Sequence, residues 1–162
     1  MLARYNAWAN RLTFEAVAAL PEGEAEKPRQ YVFRNMVHTL NHNHVIGRVF
    51  QAHLEGREHG YAARNTADYP PLAELRGAQE ALDAWYVALS DRLDQAAFDE
   101  VVRFTFIGGG QGAMSRGEIL QHIVNHNTYH RGSVAMMMYQ VPARPPATDL
   151  PVFLRDVPQL PA

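Results

Sequence analysis

Cysteine is absent from this chain. That excludes disulfides, thiolate zinc sites, iron–sulfur clusters and a protein thiol nucleophile, so any metal must be held by His, Asp, Glu or backbone oxygen. Long apolar runs are missing as well. None approaches the roughly 20 residues needed to span a bilayer, and no signal peptide is visible, so a cytoplasmic protein with no membrane partner is expected. An excess of one charge is also lacking: 15 Lys and Arg stand against 17 Asp and Glu, mixed along the chain, for a net charge of −2. Without a basic stripe or tail, nucleic acid is not an expected partner. There is no internal repeat and no low-complexity linker. A length of 162 residues suits one domain, 1–162, with a core of its own.

Histidine, by contrast, is plentiful. Eight are present, in clusters at His38, His42 and His44 and at His122, His126 and His130. On an α-helix, His126 and His130 fall roughly 40° apart on one face and about 6 Å apart along the axis, close enough for two imidazoles to reach one metal ion. Measured from Ile119 at about 100° per residue, both lie within about 20° of the line that also carries Met137. They are therefore expected to face a helical core, where neutral imidazoles need either hydrogen-bond partners or an ion. A pair at this spacing fits both readings, a metal site and a hydrogen-bonded core. His122 cannot join His130 on one ion, being roughly 12 Å away along a straight helix. A third ligand has to come from elsewhere in the chain.

The periodicity predicts an amphipathic helix over 2–20, a charged and proline-punctuated loop over 21–32, and a second helix over about 34–55. Apolar residues spread around that second helix, which suggests cover on more than one side, from the bundle and from a second subunit. A polar loop follows over 56–69. Tyr69-Pro70-Pro71 opens a third helix that ends near Ala97. Residues 101–107 alternate and are rich in β-branched and aromatic residues, and Gly108–Gly110 reads as a turn, giving a short hairpin or irregular excursion. Ser115-Arg-Gly-Glu118 is a capping box that opens a fourth helix, 116–140, closed by Pro142. A short apolar segment ends the chain. The expected fold is all-α: a four-helix bundle with a long 2–3 loop and the excursion between helices 3 and 4.

Four stretches in this order resemble the DinB/YfiT-like superfamily, whose members are read as metalloenzymes. Tyr5-Asn6-Ala7-Trp8-Ala9-Asn10-Arg11-Leu12 is similar to the family's start, and Thr39-Leu40-Asn41-His42 to its helix-2 motif. Asn125-His126-Asn127-Thr128-Tyr129-His130-Arg131-Gly132 is close to its most specific signature, and Pro145-Pro146-Ala-Thr-Asp149-Leu150 resembles its closing turn. The resemblance implies a four-helix bundle, often a homodimer, with a divalent transition metal (zinc or nickel) held by His42, His126 and His130. It leaves His122 to contact a metal ligand or to line the cleft, and His38 and His44 unassigned. The chain departs from the family at Gly47, where an acidic residue is common, and at His44, where an apolar one is usual.

Tyr129 is expected either to contact substrate or to pack between helices, and Trp8 to wall the metal cleft if helix 1 borders helix 4. Arg131, pointing further out, is expected to make a structural hydrogen bond or ion pair. The run Met136–Met138 suits adaptable core or interface filling. A di-iron or di-manganese site would need Glu-x-x-His motifs that helices 2 and 4 lack. Three neutral imidazoles leave coordination positions open, as catalytic sites do. The resemblance implies transfer chemistry on a low-molecular-weight thiol, with metal-assisted hydrolysis second and a small molecule as substrate. No general acid or base can be named, so the catalytic residues are unknown from sequence. The alternative is a non-catalytic metal-binding protein of the damage-inducible, stress-response type.

Overall fold

The structure is a computed structural model that describes residues 1–157. It is mostly helical, with helices α1 (Leu2–Ala18), α2 (Met36–Leu54), α3 (Leu72–Arg92), α4 (Gln95–Asp99), α5 (Arg116–Met138) and α6 (Leu150–Asp156). A two-stranded antiparallel sheet, β1 (Val101–Thr105) and β2 (Gln111–Ser115), pairs Val101 with Ser115 through Thr105 with Gln111. That sheet corrects the all-α expectation. The alternating stretch at 101–105 is a true strand because Phe104 turns inward, where it joins a core cluster with Phe50, Leu54 and Ile119. The connecting turn needs residues free of Cβ hindrance: Gly108, Gly109 and Gly110 have φ of 85°, 96° and 89°.

Local signals explain the helix ends. Asn35 caps α2 by accepting the His38 N–H at 2.7 Å. The capping box of α5 is present in both directions, the Glu118 N–H donating to Ser115 Oγ at 3.1 Å and the Ser115 N–H to Glu118 Oε2 at 2.7 Å. The third helix stops sooner than its apolar pattern suggests. Leu93 is extended, and Asp94 restarts the chain as α4 by capping the Ala97 N–H at 2.8 Å.

Among the long helices, α1 packs on α3 and α5, and α2 packs on the same two. One apolar cluster, including Phe14, Met36, Leu40, Leu75 and Met137, fills one end; the cluster around Phe50, Leu82, Tyr86 and Ile123 fills the other. Burying each such side chain stabilises the fold by roughly 1.5–3 kcal/mol. His42 and His44 of α2 and His126 and His130 of α5 lie between these clusters in sequence. A third cluster, Tyr5, Ala9, Val124 and Phe153, seals α6 against α1 and α5. No helix among the described residues is long and apolar enough to cross a membrane.

Candidate metal centre

His42 from α2 meets His126 and His130 from α5, and one ring nitrogen from each lies within 4.8 Å of the others. The spacing along α5 supplies the last two, and the packing of α2 on α5 supplies the first. His42 Nε2 and His126 Nε2 are 3.1 Å apart. The His42 Nδ1–H donates to the Arg64 carbonyl at 2.7 Å, which fixes the tautomer and leaves Nε2 as a lone pair facing the other imidazoles. The loop carrying that carbonyl is itself tied to α2, since Asn41 Nδ2 donates to Asn65 Oδ1 at 3.2 Å and to Thr66 Oγ1 at 2.8 Å.

All three imidazoles are held neutral. Burial lowers the His42 pKa, partly offset by the bond to Arg64. Burial, then the neighbouring histidines, takes His126 down to about 3; burial, then His42, takes His130 to about 4. Neutral nitrogens are what a cation requires, because no proton has to be displaced at neutral pH. Buried His126 Nδ1 and Asn127 Oδ1 each lack a hydrogen-bond partner. With Nε2 turned to an ion the first becomes a donor, and the second is an acceptor on the next residue. The donor set therefore fits a divalent ion bound by three imidazoles, with further positions open.

His42 is 4% exposed, whereas His126 and His130 are only partly buried, so the expectation that both α5 histidines point into the core is corrected. They open instead onto a pocket of about 510 Å3, which His122 and Tyr129 also line. Phe33 stacks over His42 with ring centroids 4.2 Å apart. It is delivered by a loop in which Arg34 adopts φ 64°, the left-handed region. His122 sits 5.6 Å from His126 and 4.6 Å from Phe50, ring to ring. Tyr129 is 73% exposed and its ring stands near-perpendicular to that of His130, 4.9 Å between centroids, so it borders the pocket and does not pack between helices.

Trp8 is elsewhere. Although α1 does border α5, the indole packs on Phe153, 5.5 Å between centroids, and does not line the histidine pocket. Arg131 does not point outward: it is 3% exposed and donates to Asn6 Oδ1, Asn10 Oδ1 and Thr128 Oγ1 at 2.8, 2.9 and 2.8 Å. The structural hydrogen-bonding role expected of it holds. The His44 Nδ1–H donates to Gln79 Oε1 at 3.3 Å, and the His38 ring lies 5.5 Å from Tyr69, so neither joins the triad. Phe33, Arg64, Phe50 and Phe106 were missed from sequence.

A relative, the protein named DinB from Bacillus subtilis (strain 168), is 27% identical over 164 aligned positions, covering 94% of this chain and 91% of its own length. The profile of the DinB family matches residues 1–159. With a match of that extent, the chain belongs to the DinB family.

Proposed function

We propose that this protein is a metal-dependent enzyme whose divalent transition metal, zinc or nickel, is held by His42, His126 and His130, on the four long helices read as the family's bundle. The observation that carries this is the convergence of three neutral imidazoles on an open pocket. An ion held there would supply Lewis-acid activation, lowering the pKa of a water or of a small-molecule thiol. The chain's own residues do the rest. The Arg64 carbonyl orients His42, Phe33 and Phe50 keep the imidazoles in an apolar surround, and Tyr129 and His122 offer polar groups at the pocket wall. Transfer of a low-molecular-weight thiol to an electrophile is the preferred reaction, and metal-assisted hydrolysis the second. The second reading, a non-catalytic metal-binding stress-response protein, would share the ligands. A cytoplasmic homodimer without nucleic-acid partners completes the proposal.

Elemental analysis of tag-free protein, beside a His42→Ala/His126→Ala variant, tests the ligands. About one equivalent of one transition metal, lost in the variant, is expected. No metal in the wild type after reconstitution with zinc, nickel and manganese would reject the reading. Turnover of electrophiles with bacillithiol, mycothiol or glutathione, dependent on metal, separates enzyme from binding protein.

A further inference from the structure

A second cleft, of about 600 Å3, lies between the 56–60 segment and β1. His53, His59 and Arg103 are among its lining residues, and none of them belongs to the triad. His53 is 8% exposed and its Nε2 has no hydrogen-bond partner. That nitrogen has essentially no surface open to the cleft, so His53 stands behind the site as a neighbour of His59, 5.5 Å between ring centroids, and not as a ligand contact. His59 Nδ1 accepts the Tyr61 N–H at 3.0 Å, so in the neutral ring the proton sits on Nε2, which is a donor. Arg103 makes no ion pair or side-chain hydrogen bond among the described residues, whereas Arg57 is already paired with Glu55.

The backbone adds donors of its own. The Phe106 N–H donates to the Gly110 carbonyl at 3.0 Å and the Arg116 N–H to the Glu100 carbonyl at 3.0 Å, which places the hydrogen-bonded pairs of the ladder on the even-numbered residues of this strand. The N–H groups of Arg103 and Thr105 consequently face away from β2, along the edge that borders the cleft. We infer that this cleft is a second binding site, for the carboxylate or phosphate oxygens of a small molecule, with Arg103 as its cation and His59 and the free strand edge as its donors. Glu58, an exposed acid on the same lining, opposes such a ligand and sets its affinity. Phe106 lines this cleft and the histidine pocket alike, so one molecule anchored by its anion can extend toward the triad. The site itself does not depend on a metal being bound.

The test is a titration of the full-length protein with inorganic phosphate and with acetate at constant ionic strength, read by imidazole 1H–15N NMR, with chloride as control. Saturable changes at His53 and His59, with His42, His126 and His130 unmoved, are expected for one or both anions; which of them binds assigns the site to phosphate or to carboxylate. Arg103→Gln, an exposed position, should weaken binding about tenfold, the size of a lost charge-assisted bond. Glu58→Gln should tighten it. The inference is overturned if neither anion gives a saturable change, if chloride reproduces the change, if only the triad responds, or if Arg103→Gln binds like the wild type.

Discussion

Arg131 shows how a single residue beside a candidate ligand can serve the fold. Its guanidinium is fully inside, and the amide oxygens of Asn6 and Asn10 accept from it while Asn10 Nδ2 donates to Asp83 at 3.0 and 3.1 Å. Gln79 Nε2 adds a bond to Asp83 at 3.0 Å. Arginine and aspartate thus compensate each other through two asparagines, linking α1, α3 and α5. Burial pushes the Asp83 pKa up to about 6 despite the bonds from Asn10 and Gln79. Removing the cation leaves a buried carboxylate uncompensated, so Arg131→Met should cost about 3–5 kcal/mol at neutral pH, measured by urea unfolding of chelator-treated protein. The sign with pH follows from the raised pKa. A carboxyl harder to ionise when folded favours the native state below its unfolded value near 4 and loses that contribution as pH rises through the folded value. Arg131→Met raises the folded value further, so its deficit should be larger at pH 7 than at pH 5. An equal deficit at both would show that Asp83 is not the group left exposed to the loss.

The crossing of α2 with α3 rests on the place where this chain departs from its family's usual acid. A Cβ on Gly47 would stand 2.8 Å from Leu82 Cδ2, and the Tyr86 hydroxyl donates to the Gly47 carbonyl at 2.7 Å. An acidic side chain there would have to displace Leu82 and bury a charge. Gly47→Asp should therefore destabilise by at least about 2–3 kcal/mol, seen as a lower urea midpoint with an unchanged slope. A neutral effect would mean that Leu82 gives way freely. At this scale the sequence is readable where the signal is local. The capping box at Ser115 and Glu118 and the His126–His130 spacing depend on neighbours three and four residues apart, and both appear as expected. The break at Leu93 was hidden because Leu93 continues the apolar pattern; the Asp94 cap was the available clue. Arg64 could not have been found, since it contributes a backbone carbonyl that any residue type could supply. Phe33 is placed by a left-handed turn at Arg34, which no pattern of residue types announces.

For the molecule as a whole, the triad joins two helices that the apolar clusters already hold. The two large clusters flank the triad histidines along α2 and α5; α3 contributes to both, and α1 to the one that holds Phe14 and Met36. A metal would then add to a fold that stands without it, in contrast to small zinc modules that unfold when stripped. The size of the addition is set by mass action. A free ion at a hundred times its dissociation constant stabilises by about 2.7 kcal/mol. For a chain of this length that corresponds to a Tm shift of roughly 5–11 °C. Chelation should therefore lower Tm by about that much, taken at a fixed excess of chelator. Far-ultraviolet helicity at 25 °C should be unchanged. In His42→Ala the same treatment should shift nothing, since α2 no longer contributes a ligand. Loss of helicity on chelation would instead assign the metal a structural role and weigh against the open, enzymatic site. An undiminished shift in His42→Ala would place the ion somewhere other than between α2 and α5. Because the two failures differ in what is measured, helicity in one and the response of a variant in the other, each part of the reading can fall without taking the other with it.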